Sequence, residues 1–258
     1  LNRCSSRVCW RGFLSSVYEL RVGVIQGSVL APALFGIFIN DVVVACNNVY
    51  IGSILVYADD ILIIAKSVSS LQFLFDIVQF ELFKCNMMLN VAKCCAMRVG
   101  PRYNNKCACI STSTGGLIQW VHEIRYLGVF FVSGRVLKFS VSKVKASFNR
   151  AVNSILSKVF NVATEDLILH LLKVKCIPIL LYCLDVCDLN KSTIASLDFC
   201  VQRLGFRIFK TGNRYIVQEC FRFMNFLLPS DLLRLRYAKF LVKLQSINNI
   251  FCHFAVSL

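Results

Sequence analysis

Asp59 and Asp60 are adjacent carboxylates between two apolar runs rich in β-branched residues, at positions 51–56 and 61–65. We expect the two runs to form paired strands, with Tyr57-Ala58-Asp59-Asp60 at the tip between them. In so apolar a setting we expect these carboxylates to lie at a buried bend, where they are costly unless their charge is cancelled. A divalent cation is the ligand that this arrangement predicts.

Charge indicates a polyanionic partner. The chain of 258 residues has a formal net charge of +15, and positions 138–258 hold 17 of its 29 Lys and Arg residues but only 7 of its 14 acidic residues. Lys and Arg contacts to phosphates dominate non-specific affinity for nucleic acid. The second half of the chain is therefore predicted to supply the basic surface.

A mean hydropathy of +0.63 makes a membrane-associated protein one alternative. The most apolar stretches, 51–65 and 176–187, are interrupted by Asp59 and Asp60 and by Pro178 and Asp185. Neither reaches the ~20 apolar residues that a spanning helix needs, so no stable membrane insertion is expected. The first residues show no secretory signal pattern. We expect the sequence to be a piece of a longer protein. Scattered cysteines without paired spacing predict a reducing intracellular location, nucleus or cytoplasm, and no zinc site.

The apolar periodicity predicts an α+β protein. An extended hairpin is expected at 8–20, a helix at 32–40 that ends at Asn40, an amphipathic helix from Ser69 to Asn86, and a polar turn at 90–93. Strands are predicted at 94–99 and 123–132, separated by a loop at 102–116. After position 138 the period becomes helical, with helices predicted at 141–159, 167–175, 192–209 and 230–247.

Four motifs in a fixed order identify a resemblance. They are Gln-Gly-Ser-Val-Leu-x-Pro-x-Leu-Phe beginning at Gln26, the Tyr57-Ala58-Asp59-Asp60 tip, Asn90-x-x-Lys93, and Tyr126-Leu127-Gly128-Val129. In this order the chain resembles the reverse transcriptase of non-LTR (LINE-type) retrotransposons, over about residues 7–210. The resemblance implies RNA-directed DNA polymerase activity, a nucleotidyl transfer to the 3′-hydroxyl of a primer.

The resemblance also implies roles for individual residues. Asp59 and Asp60 would be the catalytic carboxylates and ligands of two Mg²⁺ ions, with Mn²⁺ as an alternative. The incoming deoxynucleoside triphosphate would contact Gln26, Gly27, Ser28, Tyr57, Ala58 and Lys93. The primer end would be held by Tyr126, Leu127 and Gly128, and the nucleic-acid backbone would contact Lys143, Lys145 and Arg150. The expected partners are an RNA template, a DNA primer and deoxynucleoside triphosphates.

The resemblance implies a division of the chain into three parts. Residues 1–137 would be a partial polymerase palm, an antiparallel sheet with helices on one face, lacking the fingers and the first catalytic strand. Residues 138–210 would be an all-α, thumb-like bundle, and residues 211–258 a C-terminal helical extension.

The sequence departs from the family pattern upstream of Gly23. The family uses a third Asp there, whereas residues 1–22 contain Glu19 as their single acidic residue. Ile25 also stands where the family usually has Arg. We therefore expect this chain to polymerise poorly or not at all by itself. The alternative is a non-catalytic, basic nucleic-acid-binding remnant of such a polymerase.

Overall fold

A computed structural model describes residues 4–20, 23–24, 27–160 and 162–247. The chain divides into two compact units. The first unit comprises Leu1–Ala96 and Lys106–Trp120, and the second unit comprises Met97–Asn105 and Val121–Leu258. The three-part division into palm, thumb and extension stays a prediction.

The described elements confirm the α+β class. The helices are α1 (Ala31–Asn47), α2 (Val68–Lys84), α3 (Ser142–Val159), α4 (Glu165–Leu171), α5 (Ile177–Leu180), α6 (Lys191–Ile208), α7 (Arg214–Phe223) and α8 (Pro229–Ser246). The strands are β1 (Cys4–Ser6), β2 (Cys9–Trp10), β3 (Phe13–Leu14), β4 (Tyr18–Leu20), β5 (Gly52–Tyr57), β6 (Asp60–Ala65), β7 (Cys95–Ala96), β8 (Ile110–Ser111), β9 (Leu117–Trp120), β10 (Glu123–Tyr126), β11 (Val129–Val132) and β12 (Lys138–Phe139).

The strands pair in small separate sheets. β5 pairs with β6, β2 with β3, and β1 with β4, each antiparallel, while β10, β11 and β12 form a three-stranded antiparallel sheet. In the remaining sheet β9 lies between β8 and β7, and its pairing with β7 is parallel. Within the described residues the strands thus do not join in the single antiparallel sheet expected of a palm.

The core of the first unit lies between α1, α2 and the β5–β6 hairpin. Its buried members are Ile39, Val42, Cys46, Ile54, Leu74, Val78 and Leu82. The prediction that α1 ends at Asn40 is wrong, because the helix continues to Asn47. Val42 and Cys46, which are 0% and 1% exposed, lie beyond Asn40, and their burial outweighs the weak helix propensity of the Asn and Val residues there.

α2 contributes Leu74, Val78 and Leu82 to this core, and a side chain caps the N-terminus of the helix. The Ser67 hydroxyl accepts a hydrogen bond from the Ser70 backbone N–H at 3.1 Å, which satisfies one of the donors that a helix start leaves unpaired. The predicted start at Ser69 is one residue late, since the helix begins at Val68.

The second unit is built around a helical core. Phe148, Val152 and Leu156 of α3 belong to one buried cluster with residues of α4 to α8, which confirms the helical stripe predicted at 141–159. A π-helical turn, Leu172–Cys176, joins α4 to α5. Pro178 lies just beyond it, and a proline displaces the hydrogen bond that a regular helix would form there. Across the part of the chain that the structure describes, none of the helices combines the length and the apolar character needed to cross a bilayer.

Candidate functional site

The two adjacent carboxylates lie at the tip of the β5–β6 hairpin, as predicted. The register pairs Tyr57 with Asp60, so Ala58 and Asp59 form a two-residue turn. Ala58 has a φ of +52°, a left-handed conformation that is unfavourable for a residue with a Cβ. The turn therefore holds Asp59 and Asp60 on a short and locally strained backbone.

The expectation that these carboxylates are buried is wrong, because Tyr57, Ala58, Asp59 and Asp60 are all exposed. The hairpin buries one face only: Ile54 is 7% exposed, whereas Leu55 is 39% exposed. The tip projects beyond the core contacts of that face, so the two charges remain hydrated. Their presence at the tip costs little and does not by itself require a cation.

The donor set of the tip fits Mg²⁺. This ion prefers oxygen ligands and is commonly held by one or two carboxylates together with substrate phosphates and waters. Among the described residues no group of three or more His, Cys, Asp or Glu side chains could hold a metal. Within the same residues no side-chain hydrogen bond or ion pair engages Asp59 or Asp60. The two carboxylates could therefore supply part of a coordination shell that a nucleotide completes.

In the glycine loop before α1, the structure describes Gly27 and Ser28, two of the three residues predicted there to contact the nucleotide. Gly27 has a φ of +90°, which favours glycine, and the Ser28 carbonyl accepts a hydrogen bond from the Ala31 N–H at 3.2 Å. Both residues are exposed. Gln26, the third predicted contact, lies outside the described residues.

Lys93 ends a 3₁₀ turn formed by Val91–Lys93. Its side chain is exposed, while its neighbours Val91 and Cys94 pack against the same cluster as Ile63 of β6. The predicted polar turn is confirmed, and it places a flexible cation on the first unit beside a fixed core.

Tyr126, Leu127 and Gly128 lie at a tight turn of the second unit. The register pairs Tyr126 with Val129, which leaves Leu127 and Gly128 as the two turn residues. Their φ angles are +47° and +86°, the pattern of a type I′ turn. The Tyr182 hydroxyl donates a hydrogen bond to the Leu127 carbonyl at 3.3 Å.

The three residues predicted to contact the nucleic-acid backbone lie on α3, and the side chain of each has a partner within the protein. Lys143 forms an ion pair with Glu123 at 2.6 Å between Nζ and Oε2. Lys145 donates a hydrogen bond to the Ser196 hydroxyl, and the Arg150 guanidinium donates to the Ser147 hydroxyl at 3.2 Å. Lys143 and Arg150 are exposed and Lys145 is half-buried, so the first two remain accessible to a phosphate.

The predicted residues fall into two groups. The carboxylate tip, Gly27, Ser28 and Lys93 belong to the first unit, and Tyr126–Gly128 and the three α3 cations belong to the second unit. Sequence reasoning missed Glu123 and Tyr182. Glu123 lies 20 positions from Lys143 and Tyr182 lies 55 positions from Leu127, and no local pattern signals such pairs.

Comparison with known proteins finds similarity in the segment that carries the four sequence motifs. Residues 5–131 match the family described as reverse transcriptase (RNA-dependent DNA polymerase). The chain is 31% identical over 151 residues to the "RNA-directed DNA polymerase from mobile element jockey" of Drosophila funebris, an alignment that covers 55% of this chain. It is 29% identical over 153 residues to the protein of that description from Drosophila melanogaster, again covering 55% of this chain. The chain spans 16% of the length of each relative.

Proposed function

Since residues 5–131 match the reverse transcriptase family, we propose that the chain is part of the palm and thumb of a non-LTR retrotransposon's RNA-directed DNA polymerase. Its partners are an RNA template, a DNA primer and deoxynucleoside triphosphates. The observation that carries the proposal is the exposed Tyr57-Ala58-Asp59-Asp60 tip on a tight hairpin, within the matched segment.

Asp59 and Asp60 hold Mg²⁺ through their carboxylate oxygens in this proposal. When bound, the metal neutralises phosphate charge and favours ionisation of the primer hydroxyl. Exposure of the tip leaves room for the nucleotide phosphates and waters that Mg²⁺ retains in such sites. Mn²⁺, which also accepts oxygen ligands, is the practical substitute.

The other residues bind and orient the substrates. Gly27 and Ser28, on a loop where the chain turns into α1, contact the nucleotide through a backbone that glycine leaves accessible. Lys93 offers a mobile ammonium group to the phosphates. The turn at Tyr126–Gly128 holds the primer end, and Lys143, Lys145 and Arg150 bind the nucleic-acid backbone electrostatically.

Binding of Mn²⁺ and a deoxynucleoside triphosphate tests this assignment directly. Electron paramagnetic resonance of Mn²⁺ should report binding to the full chain in the presence of nucleotide. The double variant Asp59→Asn/Asp60→Asn should weaken it by at least about tenfold. Asp188→Asn, an exposed acid of the second unit, is the matched control for the change in charge and should leave binding unaltered. Equal binding by both variants would refute the metal site.

The stability of the Asp59→Asn/Asp60→Asn variant tests whether the two carboxylates are exposed or buried in the folded protein. Because both carboxylates are exposed, Asp59→Asn/Asp60→Asn should change the free energy of unfolding by no more than about 0.5 kcal/mol per site. A large gain in stability on removal of the charges would show that they are desolvated in the folded protein.

Primer extension tests the activity of the chain by itself. With an RNA template, a DNA primer and Mg²⁺, we expect little incorporation, because residues 1–22 contain no Asp and the family's site has a third carboxylate. Robust incorporation that Asp59→Ala abolishes would overturn the expectation of an inactive chain.

A non-catalytic, basic nucleic-acid-binding remnant is the second candidate, favoured by the net charge of +15. It predicts nucleic-acid binding with a steep salt dependence that the Asp59→Asn/Asp60→Asn variant retains in full. It also predicts that nucleotide binding in the presence of Mn²⁺ is absent from the unmodified chain. These two results together would select it over the polymerase.

A further inference from the structure

The turn between β10 and β11 has an unfavourable sequence for its conformation. A type I′ turn needs a positive φ at both central residues and is normally made by Asn-Gly or Asp-Gly. Here Leu127, with a φ of +47°, occupies the first position. A residue with a bulky side chain keeps this conformation only where surrounding contacts enforce it.

Tyr182 supplies two such contacts. Its hydroxyl donates to the Leu127 carbonyl at 3.3 Å. Its ring lies over Gly128 so closely that a Cβ at that residue would be 2.8 Å from the Tyr182 Cε1 atom. One side chain therefore binds the first residue of the turn and occupies the space that any side chain on the second would need.

The backbone that carries Tyr182 is itself firmly held. Leu181 and Leu184 on either side of it are 0% and 4% exposed within the core of the second unit. The Arg236 guanidinium, from α8, donates a hydrogen bond to the Leu181 carbonyl at 3.4 Å. The phenol thus projects from a fixed point of the helical bundle, although Tyr182 is 54% exposed.

The hairpin is also tied to the bundle at a second place. Lys143 of α3 forms an ion pair with Glu123 at the start of β10, at 2.6 Å, and its Nζ lies 4.6 Å from the centroid of the Phe130 ring on β11. A cation over an aromatic face adds a modest attraction to the ion pair. With one attachment at the base and one at the turn, the hairpin is fixed in direction relative to the helices of its own unit.

We infer that Tyr182 is a positioning residue that holds the Leu127–Gly128 turn in the geometry needed to bind the primer end. The inference rests on the proposed function, which gives that turn its ligand. Small misplacements of a substrate-positioning group cost large factors in rate and binding. In this inference Tyr182 acts on the primer end only indirectly, by fixing the Leu127 carbonyl and the Gly128 backbone.

Hydrogen exchange of the full chain without nucleic acid measures the positioning itself. Tyr182→Ala should speed amide exchange in peptides that cover 123–132 by about tenfold, and Tyr182→Phe, which keeps the ring, by about threefold or less. Tyr215→Ala removes a tyrosine of the same unit that is 70% exposed and should leave exchange there unaltered. Circular dichroism checks that each variant retains its helices, and Tyr182→Leu replaces the Ala variant if that one does not fold.

The coupling between Tyr182 and Gly128 gives an independent readout. Gly128→Ala should disrupt the turn, because its Cβ meets the Tyr182 ring and its φ of +86° is unfavourable for alanine. Adding Tyr182→Ala removes the first of these two causes. Amide exchange in the double variant should therefore be slower than expected if the effects of the two single substitutions were additive.

Primer binding links the contact to the proposed function. A duplex carrying 2-aminopurine at a recessed 3′ end, compared with a blunt duplex of equal length, should bind the unmodified chain more tightly. Tyr182→Ala should abolish that preference and Tyr182→Phe should largely restore it. Unaltered exchange at 123–132 in Tyr182→Ala would overturn the positioning role. Faster exchange in that variant, with no preference for the recessed end in the unmodified chain, would instead overturn the primer-binding function and leave the structural contact intact.

Discussion

Gly205 lies in α6 where α7 packs closest, and its replacement by alanine should destabilise the second unit. A Cβ at residue 205 would lie 2.8 Å from the Phe221 Cζ atom and closer still to Val217 Cγ1. Val217 and Phe221 are 0% and 3% exposed. Because both are packed on all sides, neither can move aside without disturbing further neighbours.

The magnitude is the difference of two opposing effects. In the interior of a helix, alanine is more favourable than glycine by about 1 kcal/mol. Overpacking of a filled core typically costs about 1–3 kcal/mol. Since the added methyl group would overlap two buried side chains, the upper part of that range applies. We expect a net loss of about 1–2 kcal/mol in the free energy of unfolding.

Urea unfolding followed by far-UV circular dichroism measures this loss, because most helices belong to the second unit. Gly36→Ala makes the same chemical change in α1 of the first unit, where no described heavy atom outside the helix's own backbone lies within 4 Å of the added Cβ. It should stabilise that unit by up to about 1 kcal/mol, as followed by the fluorescence of its two tryptophans. The loss in free energy of unfolding for Gly205→Ala combined with Val217→Ala should be about 1 kcal/mol smaller than the sum of the two single losses. The reason is that Val217→Ala removes the side chain nearest to the new Cβ. The reasoning is refuted if Gly205→Ala stabilises the protein as Gly36→Ala does.

Three further changes have expected outcomes. Ala58→Gly should raise the free energy of unfolding of the first unit by about 0.5–1 kcal/mol, because Ala58 has a φ of +52°, which glycine adopts more readily. Fluorescence of the two tryptophans of that unit measures the change. Ser67→Ala should lower the stability of the first unit by about 1 kcal/mol in the same assay, since it removes the hydrogen bond that the Ser70 N–H donates to the Ser67 hydroxyl, and Ser67→Asp should restore that stability. Burial raises the pKa of the Cys187 thiol from 9.0 to about 11. The unfolded chain therefore releases this proton first, and stability should fall between these pH values more steeply than in Cys187→Ala, as measured by urea unfolding across that range.

Local patterns were sufficient to predict the carboxylate tip and the main helices. Two β-branched runs separated by a short polar stretch fix a hairpin, and the register at Tyr57 and Asp60 agrees with it. α7 was predicted only as part of a helical extension at 211–258 and not as a separate helix, although Val217 and Phe221, four positions apart, are buried and Asn213 caps its start. Ten residues give too few repeats for a periodic signal to stand out.

The exposure of the tip could not be predicted from apolar content alone. Both runs are mostly apolar, yet Leu55 and Ile64 are 39% and 51% exposed, because only one face of the hairpin meets α1 and α2. Long-range contacts decide which face is covered. For the same reason the pairing of Tyr182 with Leu127 is visible only once the chain is folded.

The exposed tip changes the physical argument for a metal at Asp59 and Asp60. If the carboxylates were buried, the fold would depend on a bound cation, and metal and protein would be inseparable. Because the tip is exposed, two hydrated carboxylates alone form a weak Mg²⁺ site, and most of the coordination shell must come from phosphates and water. In the proposed function, such a site would take up its metal together with the nucleotide and could lose it with the pyrophosphate. In the proposed polymerase, an exposed tip would allow the substrate to exchange in every cycle, and the strained Ala58 turn would fix where the two carboxylates lie before the substrate arrives.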